Sequence, residues 1–296
     1  MRSKKSVGMI RTSLSDLLFD VEKVEFTDFA ANSNCAYQVI GYPNETKTLL
    51  NQCSNIYELV PNKLIFPSIE EVLNNNNITF EKHYYHINNA RFYVDYNITD
   101  EKFAYTFDGT NDKIQPQITV NHSYNGQTKY RIVVGYFRMV CTNGLVISVK
   151  EMDQYNLCII GKHTKEILHS FERLDNIIKL FTETSNVMDQ ITAKYQRLAN
   201  FNFDLVSLPS LIEKTLKLAG IKTTENGNYN SITDIYNRIT NEFINKNLEY
   251  KSYNNWLLYN GINSYLNDNN LNISTPDVRR VKDQTVFELL LAETEA

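Results

Sequence analysis

Five positive side chains, Lys113, Lys129, Arg131, Arg138 and Lys150, stand in the longest interval of this chain that holds no carboxylate, although the protein's formal net charge is -4. Tyr124, Tyr130, Tyr136 and Phe137 are interleaved with them. Cations that hold phosphates beside ring faces that stack bases are the chemistry of single-strand nucleic-acid binding, where a stacked base contributes about 1 to 3 kcal/mol. Lys113, Lys129, Tyr130, Arg131, Tyr136, Arg138 and Lys150 are therefore candidate contacts to a single-stranded nucleic acid. Strand alternation puts Tyr130, Tyr136 and Arg138 on one face and Arg131 and Phe137 on the other, and a bulge at Gly135 would bring the two arginines to one side. The same residues also suit a buried strand, because a gap without acids arises readily by chance and aromatic rings fill cores. Burial of Arg138 against a carboxylate such as Glu172 or Asp175 would mark that structural alternative.

Other chemistries find little support. His83 and His86 fall on opposite faces of a strand, and His163 and His169 do not share a helical face, so no metal site is expected. Neither a G-x-x-x-x-G-K-[ST] nor a G-x-G-x-x-G occurs among the ten glycines, and no cofactor is expected. Cys141, just before Asn143-Gly144, reads as a small buried hydrophobe rather than a nucleophile. The pairs Glu70-Glu71 and Asp100-Glu101 read as surface features at element ends, so a non-enzymatic role is expected.

The elements that must position the basic stretch follow from composition and period. The 296 residues, 42% hydrophobic and 22% charged, are enough to bury a sizeable core. No apolar run approaches the roughly 20 residues of a membrane span, and the basic N-terminus lacks the apolar core of a secretory signal. A cytoplasmic protein with no membrane contact is the expectation. Cys35, Cys53, Cys141 and Cys158 match neither a zinc pair nor a disulfide framework. Asparagine, at 37 positions, supplies turns and helix caps.

Period-two segments run over residues 79–87, 90–97, 103–107, 117–122, 129–141 and 145–149. Asn88-Asn89, Asp108-Gly109, Asn125-Gly126 and Asn143-Gly144 separate them as turns, which predicts an antiparallel meander. Short helices are read at 46–53 and 68–73, the second starting after Pro67. From Ile167 to Leu198 apolar residues recur every three or four positions, as on one long helix. Its spacing is close to the heptad of a coiled-coil homo-oligomer but is interrupted at Ser185. Four further helices are predicted at 208–218, 231–246, 254–266 and 276–292. The sum is an α+β fold, an antiparallel β-rich N-terminal half (1–162) packed with a helical C-terminal half (163–296) that contains one long helix.

The stretch N-H-S-Y-N-G followed by G-Y-F-R-M-V-C-T-N-G-L-V, from Asn121 to Val146, resembles the signature of the phage/plasmid-like family catalogued as domain of unknown function 932. Asn121, Gly126, Gly135, Phe137, Arg138, Cys141, Asn143 and Gly144 fall on that pattern. Lys162-His163-Thr164 resembles a basic-H-T segment of the family, and N-W-L-L-Y-N-G-I-N-S-Y-L, from Asn255 to Leu266, resembles its late helix W-x-x-Y-N-A-x-x-x-Y. Asn125 stands where the family often has Asp. The resemblance implies a phage, prophage or mobile-element origin and, by analogy, an accessory of replication or recombination in the host cytoplasm. Single-stranded DNA binding or annealing is then the leading expectation. A virion-associated or host-directed interaction module acting through the long helix is the other. In either case Asn125, Gly126, Asn143 and Gly144 are expected to shape turns.

Overall fold

A computed structural model describes residues 10–25, 36–138, 144–145, 158–161, 163, 185–223, 225–226, 229–268 and 276–295. The protein is α+β, with antiparallel sheets in the N-terminal half and helices mostly in the C-terminal half. By contact the chain forms two compact units, one of residues 1–103, 116–135 and 149–184, the other of 104–115, 136–148 and 185–296.

The first unit begins with β1 (Ile10–Thr12), the single turn α1 (Leu14–Leu17), and a small antiparallel sheet of β2 (Val21–Glu25), β3 (Tyr37–Gly41) and β4 (Thr48–Cys53). The helix read at 46–53 is thus a strand. Its burial repeats at Leu50 and Cys53, and its hydrogen bonds go to β3 across an irregularity at Val39/Ile40, so pairing decides a segment whose own pattern is ambiguous. Helix α2 (Asn62–Asn75) starts six residues earlier than the sequence reading and carries Pro67 inside it. The apolar face of Ile65, Phe66, Ile69 and Leu73, all fully buried, holds the helix together across the donor that Pro67 lacks.

The main sheet places β5 (Phe80–Ile87) between β1 and β6 (Arg91–Ile98). Asn88 and Asn89, both at φ 50, make the left-handed turn that joins β5 to β6, a conformation their short side chains tolerate. Strand β7 (Tyr105–Thr106) pairs with the start of β8 (Lys113–Ser123), and β8 continues along β6 from Gln117 to Ser123. Beyond β8 lies β9 (Tyr130–Arg138), flanked by β10 (Gly144–Leu145) and, in the first unit, β11 (Cys158–Gly161). The predicted meander is present.

The second unit carries α3 (Ser185–Asn200), β12 (Asn202–Phe203), α4 (Leu208–Leu218), the β13 (Glu225–Asn226) and β14 (Tyr229–Asn230) pair, α5 (Ser231–Phe243), β15 (Tyr253–Asn254), α6 (Asn255–Asn267) and α7 (Pro276–Glu293). Asparagines cap two of these helices: Asn230 accepts from the amides of Ile232 and Thr233, and Asn254 accepts from that of Leu257. Only residues 185–200 of the expected long helix fall among those described; Glu172, Asp175 and the rest of its first half lie outside them.

Candidate nucleic-acid interface

Strand register sorts the first unit's sheet into two unlike faces. Tyr84 meets Phe66 of α2 at 6.4 Å and donates to Glu70, so Tyr84 and its cross-strand partners look toward that helix. That face is apolar, with Phe92, Val94, Tyr96 and Val120 buried. On the opposite face, Arg11 of β1 pairs with Tyr85 of β5, Tyr85 with Tyr93 of β6, and Tyr93 with Asn121 of β8. One row across four strands therefore reads cation, ring, ring, amide, over roughly 14 Å at the usual interstrand spacing.

The neighbouring row runs His83, Asp95, Thr119. Arg11 donates to His83 Nδ1 at 3.1 Å, and Thr119 Oγ1 donates to Asp95 at 2.8 Å. Burial pushes the Asp95 carboxyl up, against the opposing effects of the Thr119 hydroxyl and His83. Arg11 is exposed, Tyr85 and His83 are half-buried, and Tyr93 and Asn121 are buried. Burial also raises the Tyr85 phenol, keeping it a neutral ring.

The residues expected to touch DNA are placed differently from one another. Lys129 is exposed at the entry to β9 and Arg131 is half-buried on that strand. Lys113 is half-buried opposite Thr106. Lys150 lies outside the described residues. Tyr130 and Tyr136 are 0% and 1% exposed, so neither ring can lie under a base: Tyr130 packs edge-on against His122, and in the second unit Tyr136 packs edge-on against Tyr195. Of the turn residues, Gly126 takes φ 67 and Asn125 Oδ1 accepts from Gln127 N, a turn an aspartate would make equally well. Gly144 opens β10, and Asn143 and Cys141 lie outside the described residues.

Arg138 corrects the sequence reading most sharply. It is fully buried in the second unit, where its guanidinium grips Asp112 through Nε at 2.8 and 2.9 Å and Nη2 at 2.8 Å, and reaches Glu242 of α5 at 2.5 Å. Trp256 Nε1 donates to the same Asp112 carboxylate at 2.8 Å, and Tyr250 donates to it as well. Burial opposes the arginine's charge, but Asp112 and Glu242 outweigh it and hold its pKa well above the ordinary value. Such an ion pair is a folding element, since no phosphate can displace the carboxylates without exposing them. Nothing in periodicity pointed to Asp112, yet it is the last acid before the carboxylate-free stretch begins.

A second buried cluster forms in the first unit. His122 and His163 lie 5.0 Å apart between ring centroids, with Tyr57 stacked on His163 at 5.1 Å and Tyr124 edge-on to His122 at 5.3 Å. His122 Nε2 donates to the carbonyl of Val60 at 2.9 Å, and Tyr57 donates to the carbonyls of Ser123 and Tyr124. Burial, and then the charge His163 would carry, pushes the His122 pKa well down; burial likewise lowers that of His163 against the backbone at Glu58 and Thr128.

Both clusters draw on the motifs quoted from the sequence, and the family model described as domain of unknown function 932 matches residues 49–290. The chain belongs to the domain of unknown function 932 family. In this member, the two separated halves of the family signature meet: Arg138 from the first and Trp256 from the second share Asp112. Tyr259, three residues on, donates to the buried Asp283 of α7 at 3.0 Å, as Asn263 does at 2.8 Å. No curated protein and no solved structure matches the chain. No helix among the described residues is long and apolar enough to cross a membrane, and those residues hold no cluster of three metal-ligating side chains.

Proposed function

We propose that this protein binds single-stranded DNA, as an accessory of replication or recombination in a phage or other mobile element, on the sheet face turned away from α2. The observation that carries the reading is the row Arg11, Tyr85, Tyr93, Asn121, laid across four paired strands. A sheet with one face closed by a helix and the other carrying an exposed cation, Arg11, beside a half-buried ring, Tyr85, is a geometry on which a base stacks. Arg11, Lys129 and Arg131 hold phosphates, and Tyr85 receives a base. Tyr130, Tyr136 and Arg138 serve the fold instead.

The test is fluorescence anisotropy of a labelled strand of about 30 nucleotides. If Arg11, Lys129 and Arg131 each neutralise one phosphate, log affinity falls against log salt with a slope near about -2. Tyr85→Ala weakens binding by about tenfold while leaving that slope in place. An absence of binding at low salt would remove the reading. The second reading, a protein-interaction module, is favoured by one observation: Phe201, Leu205 and Val206, between α3 and α4, are 40%, 39% and 93% exposed.

A further inference from the structure

Beside the ring row, a chain of polar groups crosses the same four strands. Arg11 Nη2 on β1 lies 3.1 Å from His83 Nδ1 on β5, His83 stands opposite Asp95 on β6, and Asp95 accepts from Thr119 on β8 at 2.8 Å. A guanidinium only donates, so His83 Nδ1 accepts here, and the imidazole is neutral with its proton on Nε2. A permanent cation is thus bonded to a ring able to become a second one. Both are open to a ligand, Arg11 being exposed and His83 half-buried.

An anion brought to Arg11 changes the part the imidazole plays. A phosphate oxygen takes over as the acceptor for the guanidinium, and a protonated imidazole, which donates from both nitrogens, adds a second charge-assisted hydrogen bond to the same group. Without the anion, that proton would set two cations side by side. Anion and proton therefore each favour the other's arrival. We infer that Arg11 and His83 form one phosphate site, which takes up a proton at His83 as a phosphodiester of the strand binds. The inference rests on the proposed strand-binding face and adds to it a residue and a linked proton.

Among the described residues, the charged and titratable groups that share this face with His83 come from three strands. β1 brings Arg11, β6 brings Asp95, and β5 itself carries Glu81 and Tyr85 by alternation. Because β5 lies between β1 and β6, an ionised Asp95 favours the imidazolium from the side away from Arg11 and leaves the Arg11 side to the anion. Lys82 and His86 alternate to the α2 side, where Lys82 pairs with Glu70 and His86 feels the charge of Asp16.

Oligothymidylate of about 30 nucleotides, whose base takes up no proton in this range, is titrated by anisotropy at about pH 8 and about pH 6, with folding checked by thermal melting at each. The wild type is expected to bind about fivefold more tightly at the lower pH. His83→Gln, whose amide oxygen can still accept from Arg11 but takes no proton, should match the wild type at the higher pH and lose the rise. His86→Gln, on the other face, should keep it, and so should Asp95→Asn, in which the imidazole still titrates. A rise that His83→Gln retains, whether it comes from Asp95 or from the charge of the whole chain, overturns the inference. Equal wild-type affinity at both pH values also overturns it and leaves strand binding standing. Binding at neither pH overturns both.

Discussion

Arg138 carries its charge with no exposed surface, and the carboxylates of Asp112 and Glu242 make that tolerable. Removing one partner would leave an uncompensated charge in the interior, where the cost is about 3 to 5 kcal/mol. Asp112→Ala is therefore expected to lower the urea unfolding free energy by about that amount, with Trp256 and Tyr250 losing their acceptor at the same time. The histidine pair supplies a pH dependence. His122 and His163 both have folded pKa values below the ordinary 6.5, so the unfolded chain takes up protons first as pH falls. Stability is then at its full value above about pH 6.5 and declines below it, by up to about 1.4 kcal/mol per pH unit for each imidazole. Chemical denaturation at several pH values checks this, and His122→Phe should flatten the decline. A stability that held constant down to pH 5 would contradict the assignment of both rings as buried and neutral.

At the scale of elements, the sequence announced its turns and helices more clearly than its faces. Asn88-Asn89 and Asn125-Gly126 were legible because left-handed backbone strongly restricts which residues fit. The helices at 208–218 and 276–293 were legible because proline marked their first turns. The segment 48–53 was misread because its fate depends on pairing with β3, a partner some ten residues away that local pattern does not see. The polar row was not legible at all, since Arg11, Tyr85, Tyr93 and Asn121 become neighbours only once four strands are in register. The Asn88 turn gives one prediction: Asn88→Ala should cost about 1 to 2 kcal/mol, because alanine lacks the local hydrogen bonding that eases φ 50. Helix α6 gives another. A Cβ at Gly261 would stand 2.3 Å from Ile239 Cγ1 on α5, so Gly261→Ala should destabilise the second unit by about 1 to 3 kcal/mol. Ile239→Val in the same chain should recover only part of that loss, because Val retains a methyl at the Cγ1 position.

For the whole molecule, a net charge of -4 means that long-range attraction does not bring a polyanion to this protein. In the proposed reading affinity arises locally, from a few cations beside a ring, and the salt dependence should be correspondingly shallow. The sequence placed the family correctly through residues that build cores. Arg138, Trp256 and Tyr259 fall on the motifs that carry the resemblance and lie in the buried interior of the second unit, and His163 falls on them in the first, where it packs on His122. In the proposed reading, the surface that meets the strand is the sheet face of Arg11 and Tyr85, and not the buried part of the motif around Arg138. The measurement that bears most directly on this is anisotropy of a labelled single strand of about 30 nucleotides with the wild type, Arg11→Ala and Tyr85→Ala, over a range of salt. Salt-sensitive binding by the wild type, weakened about tenfold by Tyr85→Ala and made shallower in salt by Arg11→Ala, is the predicted result. Wild-type affinity in both variants, or no binding at low salt, would contradict it.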